Sequence, residues 1–298
     1  MDTYDAGYGA LVDTTVRLAT WNIWARYGPW QKRAPVILET LRALEPDIIG
    51  LQEVWDDGDH NQAREIASAL GYAHVEFEAN LEHRGAWFPQ DPPDAPDAVT
   101  RAGNAVISRW PIRRREVRLL SRDSGDARDD EGEERVCLLA EVDGPRGPIQ
   151  MYCAHLSWRG DHSAVRQRQV GDICAFVREQ RPRTFPSVLV GDLNSDPDSD
   201  EIRMLTGRAT TPVPGVLWRD VWEWTGKVAR GEPGHTWSND NAFAAASLDV
   251  PRRIDFIMVA APKAGGCGHP LDVHVIGDRP IDGVWGSDHY GLVADLRY

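Results

Sequence analysis

The chain has 298 residues, 42% of them hydrophobic, and sets 33 Lys and Arg against 46 Asp and Glu, for a net charge of −13. That is enough apolar material for a full core in one large or two ordinary domains, and the acidic balance argues against a default nucleic-acid footprint, because proteins that grip duplex backbone usually carry a basic face. Residues 1–10 contain no Lys or Arg and no apolar run reaches the roughly 18 residues of a membrane span, so neither a secretory n-region nor a transmembrane helix is expected, and a soluble cytoplasmic protein is.

In chain order, residues 16–21 alternate into an apolar strand, residues 32–44 carry apolar positions at helical spacing and stop before Pro46, and residues 47–51 form a short buried strand. This strand, helix, strand opening delivers Asn22 and Glu53 to one edge. Residues 64–70 read as a second helix closed by Gly71, and strands follow at 72–77, 105–108, 117–120, 136–142 and 149–155. Two irregular stretches interrupt them. Residues 80–102, with Pro89, Pro92, Pro93 and Pro96 around Trp87 and Phe88, read as a long loop, functional or disordered, and residues 121–134, rich in Asp and Glu, read as a solvated hairpin tip. Arg113, Arg114 and Arg115 are the obvious basic cluster and read as a solvated strand edge.

Residues 163–179 repeat the helical period, 187–190 run as a buried strand into Gly191 and Asp192, and 201–205 make a short helix. Residues 206–234 read as mostly loop around Trp218, Trp222 and Trp224, before closing strands at 254–259, 273–276 and 292–296. Strands in runs interleaved with helices predict an α/β protein of two packed sheets flanked by helices, with no internal repeat visible. Cys137, Cys153, Cys174 and Cys267 have no CxxC spacing and read as buried free thiols of a reducing compartment.

Four short polar motifs hang on the ends of apolar runs: Thr20-Trp21-Asn22, Leu51-Gln52-Glu53, Gly191-Asp192-Leu193-Asn194 and Ser287-Asp288-His289. A folding role alone would favour apolar residues or turn formers there, whereas a rigid scaffold hands carboxylates and carboxamides to a cleft from such positions. Each motif alone is weak, Gly-Asp-x-Asn being an ordinary turn, but the four in this order are specific. With Gly103-Asn104 before a strand, His155-Leu156 and Arg253-Ile254-Asp255-Phe256-Ile257, the chain resembles the endonuclease/exonuclease/phosphatase superfamily over residues 16–298, leaving 1–15 as an N-terminal extension. The resemblance implies one domain with a four-layer α/β/β/α sandwich of two mainly antiparallel or mixed sheets, and a metal-dependent hydrolase of phosphoric ester bonds. It leaves the substrate open.

Phosphoester hydrolysis needs a divalent cation, an oriented water and donors for the charge of the transition state. Glu53 supplies a hard oxygen suited to Mg²⁺, with Mn²⁺ as the alternative, and Asn22 a second oxygen or a hold on a metal-bound water. Asp192 orients and deprotonates the attacking water, with Asn194 holding that water or a phosphate oxygen. His289 donates to the phosphoryl group while Asp255 fixes its tautomer. The resemblance places Asp288 at the metal or the water and makes His155 a phosphate donor; Asn104 reads equally as a turn residue or a substrate contact. His162, beside Asp161 at a helix start, reads as exposed next to an N-cap, and Gly234-His235-Thr236-Trp237 as a segment near the cleft with a packed Trp.

The reading is a Mg²⁺-dependent phosphodiesterase using direct in-line attack of water on a small phosphoester, with Trp87 and Phe88 covering its non-phosphate part and duplex DNA disfavoured by charge. The alternatives are a DNA-repair endonuclease or exonuclease, and a binding module of the same fold without catalysis. Glu53, Asp192, Asn194, Asp255, Asp288 and His289 are all present, which speaks against the last. No feature specifies an oligomer.

Overall fold

Two strand–helix–strand units organise the chain. In the first, β1 (Thr15–Asn22) and β2 (Ile48–Asp56) run parallel around α1 (Trp30–Leu44), with Asn22 opposite Gln52; in the second, β7 (Gly147–His155) and β8 (Val188–Asp192) run parallel around α3 (Ser163–Glu179), with His155 opposite Asp192. A parallel pair needs a crossover, and in both units the amphipathic helix supplies it. The structure, a computed structural model, describes residues 14–84, 99–122, 134–181, 185–263 and 265–298. Residues 1–13 of the expected extension, Trp87, Phe88 and most of the acidic tip lie outside the described residues.

The remaining elements are α2 (Gln62–Leu70), β3 (His74–Arg84), β4 (Val99–Ser108), β5 (Ile112–Leu119), β6 (Val136–Gly144), α4 (Asp200–Thr206), β9 (Trp218–Asp220), α5 (Val221–Trp224), β10 (Asp255–Ala260), β11 (Pro270–Ile276) and β12 (Gly291–Arg297). They complete two six-stranded sheets, ordered β11-β12-β1-β2-β4-β3 and β5-β6-β7-β8-β10-β9. Each sheet holds one parallel pair, and its other pairings are antiparallel.

Strand side chains alternate between faces, so each sheet has an inner and an outer apolar set. Val16, Leu18, Ile48 and Val106 of the first sheet pack against Leu138, Met151, Val190 and Ile257 of the second. The outer face of the first sheet buries Ile37 and Leu41 of α1 and Ile66 of α2, and that of the second buries Val170, Ile173 and Phe176 of α3 and Ile202 of α4. Each fully buried aliphatic or aromatic side chain contributes about 1.5–3 kcal/mol. The result is the expected four-layer sandwich. Among the described residues no helix is long and apolar enough to cross a membrane.

Several elements differ from expectation. The strand expected to stop at Leu51 runs on to Asp56 through a β-bulge between Leu51 and Val54, because β4 continues to pair with it at Val54 opposite Gly103. Both ends of the stretch 80–102 are ladder: β3 extends to Arg84 and β4 starts at Val99, and residues 85–98 between them lie outside the described residues. Arg113, Arg114 and Arg115 lie in β5, which starts earlier than expected and forms a sheet edge, and they pair with Asp143, Glu116 and Glu78. The region read as loop with tryptophans holds β9 and α5; Trp218 and Trp222 are buried and Trp224 is half exposed. His162 is buried and its Nδ1 lies 2.8 Å from Ser157 Oγ, and it caps α3 without a side-chain cap bond. The described cysteines carry no disulfide; Cys137, Cys153 and Cys174 are buried and Cys267 is half-buried.

Close approach requires the glycine at position 191. Gly191 has φ +140°, and a Cβ there would stand 1.8 Å from Ala154 O across the β7–β8 pair. Only glycine lets the strand reach Asp192 in this register.

Candidate active site

The carboxyl ends of the parallel strands and the starts of their antiparallel neighbours meet at one edge of the sandwich. Asn22 ends β1, His155 ends β7 and Asp192 ends β8, while Asp255 begins β10 opposite Asp192 and residues 287–289 lead directly into β12. Such edges are where open α/β sheets deliver side chains to a crevice. Here they open into a cleft of about 510 Å³, whose wall includes Glu53, His155, Asp192, Asn194, Asp288 and His289.

Asp192 is the hub. Its Oδ1 accepts Asn194 N–H at 2.9 Å and its Oδ2 accepts Asn22 Nδ2 at 3.1 Å, while His155 Nε2 and His289 Nε2 approach the same Oδ2 at 3.4 and 3.6 Å. His289 is held from the other side by Asp255 Oδ2, 3.0 Å from Nδ1, and edge-on by Trp237, with ring centroids 4.8 Å apart. Asp255 sits on Thr236, whose Oγ1 accepts the backbone N–H groups of Ile254 and Asp255. Asn22 Nδ2 also donates to Glu53 Oε1 at 2.9 Å, and its Oδ1 accepts Trp24 N–H. Asn22 therefore links Glu53 to Asp192 through its Nδ2. Ser287 Oγ donates to Asn22 O at 2.7 Å and lies 3.1 Å from Asp288 Oδ1.

Burial and charge set the protonation states. Burial pushes Asp192 up to about 6, with neighbouring Asp255 adding to it against His289, Asn22 and Asn194. Burial likewise pushes Asp288 up to about 7, Glu53 adding to it against His289 and Arg33, and it raises Glu53, with Asp192 adding. For His289 burial pulls the imidazolium down, but Asp255, Asp192 and Asp288 outweigh it and hold the ring well above its ordinary value. His155 moves the opposite way: burial, then Arg135 and His289, keep it neutral. One histidine is thus a cation and the other a neutral ring, two roles set by surroundings.

The backbone is strained at the same place. Of the non-glycine residues with positive φ among those described, Trp24, Ala25, Glu53 and Asn194 all line the cleft. Such residues cost on the order of 1–3 kcal/mol each and persist where the surroundings over-determine them.

The family model described as "Endonuclease/Exonuclease/phosphatase family" matches residues 19–289, which contain every side chain of this cleft. The chain belongs to that family. Members of the endonuclease/exonuclease/phosphatase family are typically metal-dependent phosphoester hydrolases. Among solved structures, the chain is similar to the endonuclease/exonuclease/phosphatase from Beutenbergia cavernae, at 24% identity and TM-score 0.66, covering 96% of this chain and 72% of that one. It is also similar to D. rerio TDP2 complexed with single strand DNA product, at 19% identity and TM-score 0.70, covering 96% and 100%. At these identities the likeness shows the fold. Two sequence relatives are the uncharacterized protein YbhP of Escherichia coli K12, 28% identical over 189 residues, and protein angel homolog 2 of Bos taurus, 25% identical over 179. These alignments cover 60% and 57% of this chain, and 66% and 30% of the relatives.

Within this family member, Glu53, Asn22, His155, Asp192, Asn194, Asp255, Asp288 and His289 lie together at this edge of the sandwich. Glu53 does so from the bulge inside β2, not from a strand end. Asn194 lines the cleft with its Nδ2 donating to Leu156 O, and it gives Asp192 its backbone N–H. Asn104 is absent from the cleft wall: it is buried inside β4, and its Nδ2 donates to Val136 O between the sheets. Trp237, expected as a packed ring, packs against His289 and lines the cleft.

The motifs missed other wall residues. Arg135, immediately before β6, and Arg252 bring positive charge into the acidic cleft, Arg252 in a salt bridge with Asp196 at 2.8 Å. Trp24, Tyr27 and Trp158 make it aromatic as well. The usable signal was adjacency: Arg252 precedes Arg253-Ile254-Asp255, and Trp158 lies three residues beyond His155. Arg253 within that motif is structural, pairing with Asp220 at 2.7 Å over the Phe256 ring.

Proposed function

We propose that the protein is a Mg²⁺-dependent phosphodiesterase acting on a small phosphoester by direct in-line attack of water. The observation that carries this reading is the convergence of a carboxylate pair, Glu53 and Asp288, with the chain Asp192–His289–Asp255 in one cleft. Burial raises both Glu53 and Asp288, with Asp192 adding to it at Glu53 and Glu53 at Asp288, so a cation beside them would ease their ionisation. Hard oxygen donors in that state fit a divalent cation.

Asp192, Asp255 and His289 also lie close enough for a metal, their ligand atoms within 4.8 Å of one another. Both imidazole nitrogens there already face carboxylates and the ring is held protonated, so we assign the cation to Glu53 and Asp288. When bound, it would supply charge neutralisation at the phosphoryl group. Asp192 Oδ2 accepts the proton of the attacking water, with Asn22 Nδ2 fixing the carboxylate. His289, protonated and pinned by Asp255, donates from Nε2 to the phosphoryl oxygen that gains charge, and neutral His155 donates beside it. No Ser, Thr or Cys is placed as a nucleophile by these contacts; Cys153 is fully buried, and burial pushes its thiol up to about 12.

Glu53→Gln is expected to raise the Mg²⁺ concentration for half-activity by about 10-fold or more, the size of loss seen when a metal's carboxylate environment is altered, with little change in Tm. An unchanged metal requirement in the folded variant would remove Glu53 from the metal site.

The size of the cleft and the charge of −13 support a small substrate. A second reading, a nuclease acting on single-stranded DNA, draws on the similarity to TDP2 in complex with a single strand DNA product and on the aromatic wall of Trp24, Tyr27 and Trp158. The test is a panel of p-nitrophenyl phosphodiesters and phosphomonoesters, single-stranded oligonucleotides and plasmid, each with Mg²⁺, Mn²⁺ or chelator at about 150 mM salt, where surface electrostatics is screened beyond about 8 Å. Small diesters are expected to turn over best and duplex DNA worst. Efficient, salt-resistant cleavage of DNA would promote the second reading to first place.

A further inference from the structure

Each half of the cleft is backed by a buried arginine at the same separation from its strand-end residue: Asn22 to Arg33 and His155 to Arg166, eleven residues in each case. Arg33 lies in α1 and Arg166 in α3, the crossover helices of the two parallel units, and each is at most 5% exposed. Arg33 donates to five backbone carbonyls: Ile23 and Gly286 from Nη1, Trp24, Ala25 and Tyr27 from Nη2, and Tyr27 again from Nε, all between 2.7 and 3.1 Å. That loop in turn bonds the site, Trp24 N–H to Asn22 Oδ1 and Ala25 N–H to Glu53 O, while Gly286 adjoins Ser287, which donates to Asn22 O. Arg166 Nη1 donates to Ser157 O and Arg159 O in the loop after His155, and its Nε to Glu201 Oε1 at 2.6 Å. Glu201 Oε1 also accepts Ser195 Oγ at 2.7 Å, next to Asn194 in the loop after Asp192.

A guanidinium carries five donors in a rigid fork and an ammonium does not, so only arginine can tie several carbonyls of one loop in a fixed arrangement. We infer that Arg33 and Arg166 are paired positioning residues, one for each half of the site: Arg33 sets the loop that places Asn22, Glu53 and Asp288, and Arg166, through Glu201, sets the two loops that place His155, Asp192 and Asn194. The inference rests on the proposed reading of the cleft. It adds a division of labour: the Arg33 half governs cation binding and the Arg166 half the chemical step.

The test uses Arg33→Lys and Arg166→Lys in the full chain, with Arg33→Gln and Arg166→Gln as second variants. Three properties are measured: Mn²⁺ binding by electron paramagnetic resonance, kcat and KM on bis-p-nitrophenyl phosphate, and hydrogen exchange of the loop amides. Because Lys keeps the charge, a loss of Mn²⁺ affinity in Arg33→Lys reports lost positioning. In Arg33→Gln the removed positive charge alone would tighten cation binding, so weaker binding there is the stronger result. Arg33→Lys is expected to weaken Mn²⁺ binding about tenfold, and Arg166→Lys to lower kcat about tenfold or more at saturating Mn²⁺ with Mn²⁺ affinity within about twofold, the range for residues that support a metal site or its reaction. Faster exchange is expected at residues 23–27 in the first variant and 157–159 in the second. Equal losses of both parameters in both variants, tracking Tm, would overturn the inference, as would wild-type values in both. Loss of folding in the Lys and Gln variants alike would show that the arginines support the fold and would also overturn it. If wild-type protein neither binds Mn²⁺ nor hydrolyses the diester, the reading of the cleft fails instead, while loop-specific exchange still decides the positioning.

Discussion

Replacing Asp192 by Asn is expected to lower kcat by about 10²–10⁴-fold, the range for a positioned base, while leaving Tm at pH 7–8 unchanged or higher. The two effects point in opposite directions for one physical reason. Burial holds the Asp192 carboxyl up to about 6, so the ionised form that the reaction needs is a buried charge that the fold tolerates at a cost. A group whose folded value is raised above its unfolded value of about 3.9 loses stabilisation as pH climbs between the two, and is least favourable to folding above both. The amide removes that charge and keeps the shape, an exchange of activity for stability of the kind found at many active sites. His289→Gln is expected to lower kcat comparably, and the double variant little further, because base and charge stabiliser act as a unit. Wild-type activity should rise with pH through about 6, where Asp192 ionises, and decline only well above neutrality, where His289 loses its proton. A folded Asp192→Asn protein that keeps kcat within about threefold of wild type, far short of the loss expected for a base, would sink the assignment.

The site was readable because its residues sit at strand ends, where a polar group interrupting an apolar run has no folding reason to be there. Asn22, His155 and Asp192 are of this kind, and so are Asp288 and His289 before β12. Glu53 was found for a reason that proved incomplete. The polar pair Gln52-Glu53 reads as a strand end, yet a bulge lets β2 continue to Asp56, and a bulge leaves no period-2 signature. Asn104 was misplaced by the same logic, since Gly103-Asn104 reads as a turn before a strand when it lies inside one. Gly103 is there because Glu78 O would stand 2.0 Å from a Cβ. Arg33, Arg135 and Arg166 could not be told apart in a sequence with abundant arginine, because burial of a charged residue is decided by tertiary partners and not by neighbours in the chain.

The second large effect expected is on stability. Arg166 and Glu201 form an ion pair at 2.6 Å with side-chain exposures of 6% and 0%, and Glu201 also accepts Ser163 Oγ and Ser195 Oγ. Removing one partner of such a pair leaves the other charge buried without compensation, which costs about 3–5 kcal/mol, whereas replacing both by apolar groups of similar volume can be nearly neutral. Glu201→Ala is therefore expected to lower the free energy of unfolding by about that amount in urea at pH 7, and Arg166→Met/Glu201→Leu by clearly less than the sum of the single changes. The pH dependence has a definite sign. Burial raises the Glu201 carboxyl, but Arg166 and the two serine hydroxyls outweigh it and hold it below its ordinary value of 4.5. Its stabilisation is thus fully present above that value and is lost as pH falls through the lower folded-state value. The difference between wild type and Glu201→Gln should accordingly narrow below about pH 4.5, the carboxyl's ordinary range, and stay constant from about pH 6 to 8. A gap that persists undiminished in acid would mean that shape and hydrogen bonding, not charge, tie Glu201 to the loops beside it.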